Sequence, residues 1–166
     1  MNYRKATLMD IPLLIETRLN ILRAANGLSD DQNLSQVEEL LQRYYQEQLP
    51  SGGHVAYLAF DGDMLAATGG VCFYQVLPTY HNPTGWKAYI INMYTVPAYR
   101  KQGLASHILE LLVQESLRRD IDFIALETTS MGRPVYEKFG FVDMNAEMQL
   151  MNEAFDAHEK QREGLG

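Results

Sequence analysis

An apolar strand that runs into a glycine turn and then a helix constrains this chain more than any other feature. Ala88-Tyr-Ile-Ile-Asn-Met-Tyr-Thr95 is nearly all apolar, aromatic or β-branched, as expected of a strand buried on both faces. Downstream, Leu104, Ala105, Ile108, Leu111, Leu112 and Leu117 recur at roughly helical spacing. Arg118 and Arg119 follow where cations suit a helix C-terminus. Between strand and helix, Arg100 to Ala105 reads Arg-x-x-Gly-x-Ala. Glycine at such a junction lets successive backbone N–H groups turn toward one point at the positive end of a helix. That is an anion site, and phosphate or pyrophosphate is its natural occupant. Two familiar phosphate sites are excluded: the chain has no Gly-x-x-x-x-Gly-Lys-[Ser/Thr], and no Gly-x-Gly-x-x-Gly after a strand.

The flanking segments predict an α/β domain. Asp10 is placed to cap a helix carrying Ile11, Leu14, Ile15, Leu19 and Leu22 on one side, with Pro12 tolerated in its first turn. Ser35-Gln-Val-Glu38 reads as a capping box for a second helix, which Pro50-Ser-Gly-Gly53 stops. Asp61-Gly-Asp63 joins two strands, His54 to Phe60 and Met64 to Val76, as a hairpin. Pro78 to Trp86 reads as a loop. Asp122-Phe-Ile-Ala-Leu-Glu127 is a further strand, Gly132 to Phe139 a short helix ended by Gly140, and Phe141 to Met144 and Glu147 to Met151 are two last short strands. The expected division is one domain over 1–151 and a charged helix or tail over 152–166. This pattern alone implies a three-layer α/β arrangement.

Two blocks carry a resemblance. Met93-Tyr-Thr-Val-Pro-Ala-Tyr-Arg-Lys-Gln-Gly-Leu-Ala105 resembles the acetyl-CoA motif of the GNAT family of N-acetyltransferases, [Gln/Arg]-x-x-Gly-x-[Gly/Ala] after a strand ending Val-x-Pro-x-Tyr-Arg. Leu126-Glu-Thr-Thr-Ser-Met-Gly-Arg-Pro-Val-Tyr-Glu-Lys-Phe-Gly-Phe141 is similar to the strand, short helix and closing Tyr-x-x-x-Gly-Phe of the same family, at a family-like distance. With Arg4 to Leu14, which resembles the first strand and helix, the likeness spans Tyr3 to about Leu150. It implies a mixed, mostly antiparallel central sheet with helices on both faces, and acyl transfer from a thioester to an amine.

Carried onto this sequence, the resemblance gives each residue an expected role. Backbone N–H groups of Arg100, Lys101, Gln102, Gly103, Leu104, Ala105 and Ser106 would cradle the pyrophosphate of acetyl-CoA. Lys138 or Arg133 would lie toward the adenosine phosphate. Met93, Tyr94 and Thr95 would offer main-chain groups to the pantetheine arm where their strand splays from its neighbour. Tyr136 matches the tyrosine beside the CoA sulfur; a phenol with pKa near about 10 stays protonated at neutral pH and can protonate the departing thiolate. Two positions depart from the family pattern: Thr129 stands where asparagine is frequent and Gly132 where alanine is. No carboxylate lies on the strand before the motif, where many members have a glutamate. Glu127 is then the candidate base, with a water relay or a backbone carbonyl as the alternatives. Asn92 cannot be a base but could hold a water.

Composition bounds the remainder. At 166 residues and 46% hydrophobic content the chain suffices for one well-packed domain. One cysteine excludes an internal disulfide framework, and Cys72 reads as a small apolar strand residue. His54, His81, His107 and His158 have no metal-ligand spacing, so no metal is expected. A net charge of −7 argues against nucleic acid. No stretch reads as a signal peptide or a membrane span, which makes the cytoplasm the expected compartment. The acceptor stays open among small amines, amino acids, antibiotics, polyamines and the N-terminus or a lysine of a peptide or protein. The candidate lining for it is Asn26 to Asn33, Tyr74, Tyr80 and Trp86. A homodimer follows family habit. The competing reading is a catalytically degenerate domain of the same fold that binds CoA or an acyl-CoA as a sensor.

Overall fold

The computed structural model describes residues 1–144. Met1–Val135 forms one compact unit, and a second begins at Tyr136.

The first unit is built on a five-stranded sheet of order β1-β2-β3-β4-β5, comprising β1 (Asn2–Lys5), β2 (His54–Asp61), β3 (Met64–Gln75), β4 (Trp86–Thr95) and β5 (Ile124–Leu126). The first four strands are antiparallel, and β5 joins β4 in parallel. Helices α1 (Ile11–Asn26) and α2 (Ser35–Ser51) lie on one face of the sheet and α3 (Leu104–Leu117) on the other. Strand alternation divides the core accordingly. Ala56 and Leu58 pack with Ile11, Leu14, Ile15 and Tyr45 under α1 and α2. Val71 and Ile90, paired across β3 and β4, belong to the α3 face with the buried Ile108, Leu109 and Leu112.

Several local expectations need correction. Asp10 holds the N-cap position of α1 but makes no cap bond there. Its carboxylate instead accepts two hydrogen bonds from Arg4, at 2.7 and 2.8 Å, and one from the Thr7 N–H at 2.8 Å, closing a capping box on the preceding 3-10 turn Leu8–Asp10. The Ser35 capping box is absent as well. Leu34 is the N-cap of α2, and Asn33 Oδ1 accepts the Ser35 N–H at 2.9 Å. Pro50 lies inside α2, which ends at Gly52 in the left-handed conformation (φ 74°). Gly62 turns the hairpin as expected, with φ 58°. The fifth strand is shorter than its sequence suggested, so Glu127 lies one residue beyond its end. β4 is not buried on both faces: Ala88 and Ile90 are buried toward α3, whereas Tyr89 and Ile91, on the α1/α2 face, are half-buried. That face is incompletely covered.

α4 (Arg133–Phe139) is the expected short helix. Gly140, with φ 114°, ends it, and the Gly140 and Phe141 N–H groups both bond to the Tyr136 carbonyl, at 3.1 and 3.0 Å. Residues 141–144 are irregular rather than a strand. The final strand and the tail expected from the sequence lie outside the described residues.

Candidate active site

The site grows out of an irregularity in β4. Ile91 pairs with Gly70 and Tyr94 with Thr68, so Gly69 alone faces both Asn92 and Met93. Asn92 is the extra residue of a β-bulge and takes φ 59°. Asparagine tolerates that conformation better than most residues. The bulge puts Ile91 and Tyr94, three apart, on the same face, while Met93 turns toward α3. A Cβ built on Gly69 would lie 2.4 Å from Met93 Sδ and 2.7 Å from Ile108 Cγ2, so only glycine admits this packing. Asn92 is buried, and its Oδ1 finds no donor among the described residues. A buried acceptor without a donor is uncommon and marks a place for a water or a ligand N–H.

Just before the bulge the two parallel strands part. β4 and β5 pair only from Ala88 with Ile124 to Ile90 with Leu126. Among the described residues no strand lies beside Ile91 to Thr95 on the β5 side, which leaves main-chain groups there for another extended partner. Glu127, exposed, is the first residue past the last pair. Its carboxylate acts on Tyr89: burial first and then Glu127 push that phenol up to about 12. Tyr89 and Glu127 therefore meet at the fork.

The chain leaves β4 through a 3-10 turn, Pro97–Tyr99, and reaches α3 across the glycine motif. Arg100 braces this loop, its Nε donating to the Thr95 carbonyl at 3.3 Å. Gln102 Nε2 donates to the Ala98 carbonyl at 3.3 Å. Lys101, exposed, has φ 61°, and Gly103, the N-cap of α3, has φ 81°. No side chain caps α3, and a Cβ on Gly103 would meet nothing within 4 Å. The first-turn N–H groups at Leu104, Ala105 and Ser106 thus have no side-chain cap among the described residues, at the positive end of a 14-residue helix. A phosphate suits that arrangement.

Thr129 is exposed and serves the start of α4. Its hydroxyl accepts the Gly132 N–H at 3.3 Å, and its carbonyl accepts the N–H groups of Gly132 and Arg133 at 3.1 and 3.0 Å. No acceptor among the described residues takes its O–H proton. In the second unit, Tyr136 is buried with its ring edge-on to Phe141, centroids 6.1 Å apart. Burial pushes its phenol up, so it is protonated at neutral pH.

Sequence reasoning missed a polar group on the α1/α2 face. His54 of β2 and Cys72 of β3 are paired in register, and the Tyr44 hydroxyl from α2 reaches both. Tyr44 Oη lies 3.0 Å from Cys72 Sγ and 3.2 Å from His54 Nδ1, and those two atoms are 3.3 Å apart. Burial pulls His54 down to about 4, pushes the Tyr44 phenol up, and raises the Cys72 thiol. All three are neutral at pH 7. Cys72 is thus a hydrogen-bonding residue rather than apolar filler. Only strand register, for residues 54 and 72, and the packing of α2 on the sheet, for residue 44, could have joined them. Among the described residues no group of His, Cys, Asp and Glu could hold a metal, and no helix is long and apolar enough to cross a membrane.

Comparison with known proteins agrees with this geometry. The model of the acetyltransferase (GNAT) family matches residues 22–141. A crystal structure of a predicted acetyltransferase from Clostridium acetobutylicum, solved with acetyl-CoA, superposes with a TM-score of 0.83 at 37% identity, covering 90% of this chain and 95% of that one. A GCN5-related N-acetyltransferase from Ralstonia eutropha JMP134 shares the fold, with a TM-score of 0.80 at 22% identity over 91% of this chain and 98% of that one. An uncharacterized N-acetyltransferase, YsnE of Bacillus subtilis (strain 168), is 32% identical over 88 residues, which is 50% of this chain and 52% of that protein. The match therefore spans about half the length of that curated relative.

Proposed function

The chain belongs to the GNAT family of acetyltransferases, and on that premise we propose that it transfers the acetyl group of acetyl-CoA directly to a primary amine. The observation that carries this reading is the uncapped, glycine-led start of α3, set immediately after a β4 edge that has no strand beside it past Ile90 among the described residues. The two features match the two halves of the donor, a pyrophosphate and a peptide-like arm. The open space at Gly103 supports the fit, because an added Cβ there meets nothing within 4 Å.

Residues 100–106 bind the pyrophosphate through main-chain N–H groups, with Arg100 holding the loop in shape. Met93, Tyr94 and Thr95 present main-chain groups to the arm, and Thr129 has a hydroxyl proton for it. Acetyl-CoA supplies an acetyl group activated as a thioester. Tyr136 donates its phenolic proton to the departing sulfur, a role its protonated state permits. The ammonium proton leaves by way of Glu127 at the mouth of the fork, directly or through a water held near Asn92. β4 carries no carboxylate of its own, and this favours one other reading, a domain that binds acyl-CoA as a sensor without turnover.

The test is CoA release from acetyl-CoA against a panel of amines and peptides, with wild type, Tyr136→Phe and Glu127→Gln. Amine-dependent release that drops roughly tenfold or more in each variant is expected, the lower range for losing a general acid or base. Release unchanged in Tyr136→Phe removes that residue from the mechanism. Acetyl-CoA binding without release from any amine selects the sensor.

A further inference from the structure

Arg18 has no counterpart among the other arginines of the described residues. Arg4 binds Asp10, Arg43 binds Glu39, Arg118 and Arg119 bind Glu115, Arg23 reaches the carbonyls of Asp30 and Gln32, and Arg100 reaches that of Thr95. Arg133 also has an interaction. Arg18 has neither an ion pair nor a hydrogen bond to any described residue, although it is half-buried and the chain carries 21 acidic residues against 14 basic ones.

Its position explains why it finds no partner among the described residues. Residues three and four away on a helix are its neighbours, and here they are Leu14, Ile15, Ile21 and Leu22, with no carboxylate among them. Leu14 and Ile15 belong to the buried stripe of α1 facing the sheet. Arg18 continues that stripe, so its cation stands on the sheet side of the helix. The charge is felt across the gap, lowering both the Tyr45 phenol of α2 and the Cys72 thiol of β3 against the larger effect of their burial. The surrounding polar groups, Tyr44, His54 and Cys72, are neutral and offer no counter-charge.

This corner lies on the same sheet face as the fork. Cys72 is paired with Tyr89, the residue touched by Glu127. Adjacent strands run about 4.8 Å apart, a span that a molecule of amino-acid size bridges. The face over β4 is the incompletely covered one. A half-buried guanidinium kept without a carboxylate is therefore best matched by an anion arriving from outside, and its planar fork suits two oxygens at once.

We propose that Arg18 is a specificity-determining residue of the acceptor site, and that the acceptor is an amine that also carries a carboxylate. The carboxylate docks on the Arg18 guanidinium, beside the Tyr44, His54 and Cys72 corner, and leaves the amine toward Tyr89 and Glu127. This deepens the acetyltransferase reading and rests on it.

The experiment compares matched acceptors: amino acids against their carboxamides and decarboxylated amines, with phosphoethanolamine against ethanolamine. Release of CoA from acetyl-CoA is measured for wild type, Arg18→Met and Arg18→Lys, and acetyl-CoA affinity is measured for each by calorimetry. Wild type should favour the carboxylated member by roughly tenfold or more in kcat/KM, the scale of one charge-assisted bidentate contact. Arg18→Met should erase that preference, chiefly through KM, with acetyl-CoA affinity unchanged. Arg18→Lys should recover part of it. Equal or better use of the carboxamides or decarboxylated amines by wild type overturns the proposal. So does a preference that survives in Arg18→Met, or one for the phosphorylated amine over every carboxylate. Acetyl-CoA binding with no amino acid turned over overturns it too and leaves the donor site standing. Failure to bind acetyl-CoA at all overturns the acetyltransferase reading beneath it.

Discussion

Replacing Glu115 by glutamine should destabilise the protein by about 2 kcal/mol at pH 7 while leaving the loop of residues 100–106 intact. Glu115 lies on α3, 5% exposed, and its carboxylate gathers three cations. Lys5 of β1 is 2.8 Å away, Arg118 2.8 Å and Arg119 3.1 Å. Arg119 also donates to the Gly52 carbonyl and stacks over Phe73, so the cluster ties β1, α3, the end of α2 and β3 together. Burial alone would raise the carboxyl, but the three cations outweigh it and hold it at about 2, against an ordinary value of 4.5. At 1.36 kcal/mol per unit that difference corresponds to about 3.4 kcal/mol. The Lys5 and Arg118 side chains are 51% and 56% exposed, and screening by water around their heads reduces the figure to about 2 kcal/mol. A carboxyl with a lowered folded-state pKa stabilises above its unfolded pKa and loses that contribution as pH falls toward the folded value. For Glu115 the loss runs from about pH 5 to about pH 2, with about 0.8 kcal/mol gone by pH 4. Urea unfolding of wild type and Glu115→Gln at pH 7, 5 and 4 measures this directly. The gap between them should narrow as the solution is acidified. A gap below about 0.5 kcal/mol at pH 7, or one that does not change down to pH 4, refutes the reasoning. Because the cluster sits at the opposite end of α3 from Gly103, acetyl-CoA affinity should move by less than about twofold, under 0.5 kcal/mol.

Three further outcomes follow from the site geometry. Gly103→Ala meets no steric obstacle, so its cost is the left-handed backbone alone, about 1–2 kcal/mol; thermal unfolding should show it, with acetyl-CoA affinity weakened at least severalfold. Gly69→Ala forces a Cβ against Met93 Sδ and the fully buried Ile108, and should cost about 1–3 kcal/mol and weaken acetyl-CoA binding by disturbing the bulge. Tyr136→Phe keeps the ring and its packing on Phe141, so stability should hold within about 1 kcal/mol while turnover falls; a collapse in stability would assign the hydroxyl to structure.

Much of the candidate donor site was legible along the chain because its determinants are local. A glycine after an apolar strand and before a helical stripe specifies a turn with positive φ and an uncapped helix start, and Gly103 and α3 have that form. The hairpin at Gly62 and the stop at Gly52 are local in the same sense. The caps were less legible: Asp10 and Asn33 each had several nearby donors, and which one won depended on Arg4 arriving from β1 and on where α2 began. The fork was harder still. Nothing in residues 88–95 announces that Asn92 is the extra residue of a bulge, because that depends on its register with Gly69 in another strand.

By itself the sequence determined the order of the main elements, the family and the glycine-led start of α3, since periodicity and backbone preference act between residues a few positions apart. Tertiary structure decided where β4 and β5 part, which put Glu127 at that point beside Tyr89. It also gathered Tyr44, His54 and Cys72 into one corner and left Arg18 facing the sheet with no partner among the described residues. Those arrangements join residues tens of positions apart, and only strand register and helix packing fix the distances between them.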